Sequence, residues 1–405
     1  MPTKQTRIKQ LLGRLEAFTV DVIYDRRHDV KAQLWGFFLG ILSLLFRSIV
    51  WLRGWLYQIG LLRAAHLGCL VIVVGNLTVG GTGKTPVVEK LARSLRDRGR
   101  KVAILSRGYK SKREPFFKKW WRLLTHTEAE KPRVVSNGKS VLLDAFVAGD
   151  EPYMLARNLP GVVVLTDKDR VKAGLFAIRE YGCDTLILDD GFQYYKLKDH
   201  LQVLLIDKSN PFGNGQMLPR GLLREPIKNM KRASYVFLTK SDGIKDEALE
   251  TQIGQYRPGL DLIECHHAPQ YLQRVGSDEQ RPLTDLAGRK VSVMSAIAVP
   301  ESFETFVEEL GATIVHKHRY LDHHRFDPWE LAEITEESAN EGIEWIVTTE
   351  KDAVRLPKDW DPKVPVYFLR VEIKILSGVD DFEAVVSRIC FPRQTLRNTR
   401  PPFRL

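Results

Sequence analysis

Apolar residues change their spacing twice along this chain, and each change marks a different kind of structure. Over residues 1–33 they are sparse among basic residues, with Ile8, Leu11, Leu12 and Leu15 at helical spacing. Residues 34–46 then form an unbroken run of thirteen apolar or small residues, and Ile49, Val50, Trp51, Leu52 and Trp55 extend it past Arg47. Thirteen residues are too few to cross a bilayer, and the extended run carries a charge inside it. It is apolar on nearly every face, so packing one face on a soluble core does not account for it. Trp35, Trp51 and Trp55 beside arginines suit the headgroup zone. The reading ranks an interfacial or shallowly inserted helix first, a buried core helix second and a true span third.

From residue 70 the texture becomes short apolar runs between helix-like stretches. Strands are predicted at 70–74, 101–105, 161–165, 185–188, 201–206 and 235–238, with a helix over 85–97. These runs are β-branched and do not alternate, which indicates a parallel sheet covered on both faces. A second α/β stretch follows, with strands at 290–294, 313–316 and 345–348 and a helix near 302–310. Gly, Pro and polar clusters over 252–288 mark the boundary region. The expected division is therefore 1–60 as an N-terminal basic and apolar helical region, 61–255 as the core domain, 256–385 as a second α/β domain and 386–405 as a basic tail. No cleavable leader is read, because no small-residue cleavage site follows the first apolar run.

Charge adds a partner class without choosing one. The 405 residues carry a net charge of +11, and five arginines with no acid follow Glu383, so an anionic partner is expected. No nucleic-acid recognition motif accompanies that charge. Residues 111–133 mix Phe116, Phe117, Trp120 and Trp121 with lysines and arginines, which suits either a lipid-touching hairpin or a packed surface loop. Cys69, Cys183, Cys265 and Cys390 form no CxxC pair, which argues for a reducing compartment. Cys265-His266-His267 lacks a second ligand group and reads as a loop after a strand.

The segment VIVVGNLTVGGTGKT at 71–85 carries the strongest chemistry. An apolar strand feeds a loop containing Gly80, Gly81, Thr82 and Gly83, and Lys84-Thr85 open a helix. Glycines let backbone N–H groups converge on phosphate oxygens, Lys84 reaches the terminal phosphates, and Thr85 ligates Mg²⁺. Thr78 stands where the usual pattern has its first glycine. TLILDDGFQ at 185–193 ends a strand in Asp189 and Asp190, at the sheet edge where ligands of such folds bind, and either suits Mg²⁺. Gly149-Asp150-Glu151-Pro152 places acids at a turn or helix start, where Asp150 is either a cap or a base for phosphoryl transfer. Asp322-His323-His324 offers an imidazole beside a carboxylate, or an exposed loop. Residues 213–226 combine glycines with Arg220, Arg224 and Glu225 for phosphate and metal contact.

Together these segments resemble the tetraacyldisaccharide 4′-kinase family. The resemblance rests on VGNLTVGGTGKTP, SRGYK (106–110), GDEPYMLA (149–156), LDDGFQ (188–193), LPRGLLREP (218–226), LDHHRF (321–326) and TTEKDAVRL (348–356), in order over roughly residues 70–360. The family also varies the position of Thr78. The resemblance implies a P-loop NTPase-like parallel-sheet domain, a second smaller α/β/α domain across a short β-linker, and an N-terminal membrane-associated helix. It implies transfer of the ATP γ-phosphate to the 4′-hydroxyl of an acylated glucosamine disaccharide 1-phosphate, with ATP and Mg²⁺, on the cytoplasmic face of the inner membrane. By position it makes Asp150 the base and His323 its partner. It gives Thr85, Asp189, Asp190 and Glu225 to metal and nucleotide, Lys84 and Arg224 to phosphates, and Tyr109 to the substrate. Two rivals remain at this stage: a GTPase, because LTKSD at 238–242 resembles a guanine-reading motif after a strand, and a membrane-bound nucleotide switch.

Overall fold

The computed structural model describes residues 4–108, 130–198, 200–260, 262–322, 324–357 and 360–390. Helices α1 (Lys4–Ile23) and α2 (Val30–Gln58) precede the strands. The first α/β stretch runs β1 (Leu70–Asn76), α3 (Lys84–Asp97), β2 (Val102–Ser106), β3 (Arg133–Asn137), α4 (Ala145–Ala148), α5 (Asp150–Asn158), β4 (Val163–Thr166), α6 (Arg170–Tyr181), β5 (Thr185–Leu188), β6 (Leu201–Asp207), β7 (Tyr235–Thr239) and α7 (Glu247–Tyr256). The second runs β8 (Leu262–Arg274), β9 (Gln280–Arg281), β10 (Lys290–Ser295), α8 (Pro300–Glu309), β11 (Thr313–Arg319), α9 (Pro328–Asn340), β12 (Trp345–Thr349), α10 (Glu350–Ala353), β13 (Val366–Ser377) and α11 (Val379–Cys390).

The strands pair in the order β11-β10-β12-β13-β8-β7-β6-β1-β5-β2-β4-β3, with β9 on β8. β3 with β4, β8 with β13 and β8 with β9 are antiparallel, and the remaining neighbours are parallel. β1 shows no apolar–polar alternation because both its faces are covered. Ile72 and Val74 pack against Val87, Leu91 and Leu95 of α3, while Val71 and Val73 meet Ala173 and Ala177 of α6. β5, β2 and β4 lie on one side of β1, and β6 and β7 lie on the other. The carboxyl edge of β1 therefore opens onto the crevice where such sheets take their ligands.

The region expected to be a boundary, 252–288, holds ordered structure. β8 runs through it and pairs with β13 along most of its length, while the start of β8 pairs with β7 and the start of β13 with β12. This ribbon joins the two α/β parts. Pro269 interrupts the apolar pattern that would have betrayed β8, and it stands opposite Val371 where the register shifts, a place where a strand proline is tolerated. α11 crosses back from the second part: Phe382, Val385 and Val386 enter the same core as α3 and β1.

α2 is longer and more exposed than the run at 34–46 suggests. Its buried residues form one stripe, Ala32, Gly36, Leu39 and Ser43, with the Ser43 hydroxyl donating to the Met217 carbonyl at 2.9 Å. Arg220 ties the end of α1 in place, donating to the Val22 carbonyl at 3.1 Å and pairing with Asp25 at 2.7 Å. Away from that stripe, Leu34, Phe37, Leu44, Leu45, Ile49 and Trp51 are 59–71% exposed. A 29-residue helix with mean hydropathy 1.8 in its most apolar window is long and apolar enough to cross a membrane by those measures alone.

Candidate active site

The glycine loop after β1 is shaped by backbone that only glycine takes readily. Gly80 and Gly83 have φ of +112° and +71°. A Cβ on Gly83 would stand 2.9 Å from Cε1 of His267 on β8, so this position is closed to larger residues twice over. α3 begins at Lys84 with no side-chain cap, which leaves the first-turn N–H groups and the positive end of the helix facing the crevice. Thr85 follows as its second residue, half-buried. The Lys84 ammonium lies 3.3 Å from Asn76 Oδ1 and 3.6 Å from Asp190 Oδ1.

Segment 218–226 is laid against this loop by backbone bonds. Val79 N–H donates to the Leu222 carbonyl at 2.8 Å, and Arg224 N–H to the Leu77 carbonyl at 2.6 Å. The guanidinium of Arg224 then grips Asp190 with two bonds of 3.0 and 2.8 Å and also reaches the Asn76 carbonyl at 3.2 Å. Glu225, its neighbour, points elsewhere. Its carboxylate is held by Tyr195 at 3.0 Å, Asn229 at 2.6 Å and Arg232 at 2.8 Å, while its Oε1 is buried with no hydrogen-bond partner. None of those ties is to Asp189 or Asp190.

The two aspartates after β5 have opposite proton affinities. Burial pushes the Asp189 carboxyl up to about 7, helped by the charges of Glu151 and Asp190. Burial also works against the Asp190 anion, but the Arg224 hydrogen bonds and the charges of Lys84 and Arg224 outweigh it and bring Asp190 down to about 2. A buried carboxylate crowded by like charges is a poor anion until a cation arrives. The hard oxygen donors here, Asp189, Asp190 and the Thr85 hydroxyl at the helix start, fit Mg²⁺.

Asp150 enters from another element. Gly149 turns the chain at φ +95°, and Asp150 is the first residue of α5. Its Oδ2 accepts from Arg355 Nε at 2.9 Å, and that arginine side chain is only 1% exposed. Arg355 also donates to Asp352 Oδ1 at 2.8 Å and to the Ala296 carbonyl at 3.2 Å, so the second α/β part holds Asp150 in place. The next residue, Glu151, acts on Asp189 through its charge, so the start of α5 faces both the Asp189 side and Arg355. A cavity of about 520 Å³ opens beside Asp150, Tyr153, Arg157, Arg325 and Arg355. A second and more apolar one, about 660 Å³, runs from Pro86 past Met154 and His267 to Phe303 and Phe306. Burial, then the charge of Lys240, lowers His267 to about 4, so its imidazole lines that cavity uncharged at neutral pH.

Of the residues read from sequence, Gly80, Gly81, Thr82, Gly83, Lys84, Thr85, Asp189, Asp190 and Arg224 converge at one sheet edge. Asp322 pairs with Lys351 of α10 at 3.2 Å, and His324 contacts Glu330 at 2.8 Å. Tyr109 and His323 lie outside the described residues, as does 111–129 of the basic–aromatic stretch. Sequence reasoning missed Asn76, Arg355 and a buried cluster around Arg370 of β13. Arg370 pairs with Glu350 of α10 at 2.6 Å and with Glu89 of α3, while Asn158 of α5 donates to Glu350 at 2.6 Å and to Glu89 at 3.4 Å. Arg93 closes the cluster onto Glu89 and, at 3.3 Å, onto Glu372. These groups link the phosphate-loop helix, the Asp150 helix and the second part.

A family model described as "Tetraacyldisaccharide-1-P 4'-kinase" matches residues 35–390. The tetraacyldisaccharide 4'-kinase of Anaeromyxobacter dehalogenans (strain 2CP-C) is 42% identical over 350 residues, covering 84% of this chain and 87% of the relative. That of Halothermothrix orenii is 33% identical over 398 residues, covering 94% and 100%. Among solved structures, LpxK from Aquifex aeolicus, an "apo" form in complex with ATP, matches with a TM-score of 0.65 at 30% identity over 86% of this chain and 97% of that one.

Proposed function

The chain belongs to the tetraacyldisaccharide-1-P 4'-kinase family and moves the γ-phosphate of ATP to the 4'-hydroxyl of a tetraacyl glucosamine disaccharide 1-phosphate in lipid A biosynthesis; from this we propose how its residues share the reaction. The observation that carries the proposal is the meeting of Lys84, Arg224, Asp189 and Asp190 at the mouth of the glycine loop.

Backbone N–H groups of the loop and the start of α3 bind the phosphates, and Gly80 and Gly83 allow the close approach. Lys84 and Arg224, which hold Asp190, turn onto phosphate oxygens when ATP enters, exchanging one anion for another. Thr85, Asp189 and Asp190 would hold Mg²⁺, with Glu225 of the 218–226 segment as a further carboxylate, and the ion would neutralise charge on the transferring phosphoryl group. Asp150 accepts the proton of the attacking hydroxyl, with Arg355 fixing the direction of its carboxylate and His323 as its tuning partner. The apolar cavity by His267 has room for the nucleoside, and the one by Asp150 for sugar. Tyr109 is assigned to the lipid substrate. The rest of the rate comes from alignment and charge stabilisation.

The bare face of α2, with Trp51 and Trp55 near its end, supports attachment to the cytoplasmic face of the inner membrane, where the acylated acceptor lies. Protein carrying Phe37→Ser, Leu45→Ser and Trp51→Ser is expected to float far less with anionic phospholipid vesicles than the parent. Equal flotation would remove α2 as the anchor.

The guanine-reading alternative finds little support in LTKSD. Lys208 takes up Asp242 at 3.0 Å, and Lys240 pairs with Asp207 at 2.6 Å. Protein given γ-labelled ATP, Mg²⁺ and tetraacyldisaccharide 1-phosphate in detergent is expected to label the lipid, and to leave unlabelled an acceptor blocked at its 4'-oxygen. Label released only to water, or strict preference for GTP, would overturn the assignment.

A further inference from the structure

The last strand of the sheet carries chemistry that the kinase reaction does not use. In β11 exposure alternates, so Ile314, His316 and His318 share the partly covered face. Glu337 in the last turn of α9 and its C-cap residue Glu341, four positions on, face that side. His316 Nδ1 lies 3.5 Å from Glu337 Oε1 and its Nε2 2.9 Å from Glu341 Oε2, while His318 Nε2 lies 3.6 Å from Glu337 Oε2. The two imidazole rings are 6.0 Å apart. Ligand atoms of His316, Glu337 and Glu341 all fall within 4.8 Å of one another.

An ion-pair network alone is a poor account of this geometry. Nε2 of both histidines is buried without a hydrogen-bond partner, so the close approaches are not directed bonds. Among the described residues, the ion pairs reaching Glu337 and Glu341 come from these histidines and from no lysine or arginine. Two donors each about 2.1 Å from a tetrahedral cation stand roughly 3.4 Å apart, so a group with one ligand atom per residue, all within 4.8 Å, needs only to draw in around an ion. A donor set of an imidazole nitrogen and two carboxylates favours a first-row transition ion over Mg²⁺ or Ca²⁺.

We propose that His316, Glu337 and Glu341 bind one Zn²⁺-class divalent cation that staples β11 to the end of α9, with His318 close by. Three protein ligands at the edge strand, with β10, β12, β13, β8, β7 and β6 between them and β1, make the site structural. Its effect is to secure the outermost strand of the sheet, which pairs with β10 and is also tied to α8 by the ion pairs of Lys317 and Arg319.

Metal-free full-length protein titrated with Co²⁺ should take up one ion with a tetrahedral visible absorption band, which Zn²⁺ then removes. His316→Gln and Glu337→Gln should each weaken uptake at least 100-fold. Zn²⁺ should raise the thermal midpoint of the parent protein by several degrees and leave that of the variants unmoved. Kinase turnover with Mg²⁺ and ATP should be the same in parent and variants, which also shows that the variants fold. Uptake by the variants equal to the parent would place the ion at other histidines. Failure of the parent to retain Zn²⁺ against a weak chelator would leave the cluster as ion pairs. Either result overturns the proposal.

Discussion

Asp150→Asn is expected to lower turnover by about a thousandfold while changing ATP affinity less than threefold. A general base contributes roughly 10²–10⁴ to rate, and asparagine keeps the shape of the carboxylate while losing its proton affinity. The described hydrogen bond of the side chain is to Arg355 of the second α/β part, so nucleotide binding is not expected to follow it. Asparagine at 150 still accepts from Arg355, which separates loss of the base from collapse of its support. Turnover and nucleotide titration on the same preparation check this. Near-normal turnover would remove Asp150 from the chemistry, and a parallel loss of ATP binding would make it a structural residue.

Arg370→Ala is expected to cost about 3–5 kcal/mol of stability, because it strands Glu89 and Glu350 in a buried setting. Arg370 is 3% exposed; burial disfavours its charge, yet the neighbouring glutamates Glu350 and Glu89 hold its proton more tightly than usual. Burial also raises Glu350, so that acid depends on the arginine to stay ionised. Replacing the whole set, with Arg370→Met, Glu89→Gln and Glu350→Gln together, is expected to recover much of the loss, because no charge is then left without a partner. Denaturant midpoints of the two variants measure the difference. Turnover should fall in both, since the cluster ties α3 and α5 to the second part. A triple variant as unstable as the single one would show that the arginine acts by packing instead.

What could be read in the sequence follows from how local each signal is. The glycine loop, the strand before it and Asp189–Asp190 are written in contiguous residues, because backbone approach to a phosphate demands glycine and a buried parallel strand demands an apolar run. Asp150 was visible as an acid at a turn, with its role as a cap left open. β8 and β13 escaped notice because their burial is mixed and β8 contains Pro269. Arg370 and Glu89 are 281 residues apart, and nothing in either neighbourhood signals the other. Arg355 was the nearer miss, standing inside TTEKDAVRL, a segment noticed for resemblance and not for chemistry. Glu225, given to metal by the resemblance, has described bonds to Tyr195, Asn229 and Arg232 that no local pattern in the sequence announces.

The central claim is that the glycine loop and Asp150 face each other across one bound nucleotide. A crystal structure with Mg²⁺ and a non-hydrolysable ATP analogue tests it most directly. The account predicts the terminal phosphate at the N-terminus of α3, Lys84 and Arg224 released from Asp190 onto phosphate oxygens, the metal on Thr85 with Asp189 or Asp190, and Asp150 facing the terminal phosphorus. A nucleotide bound with Lys84 still paired to Asp190, or with Asp150 on the far side from the terminal phosphate, would contradict it.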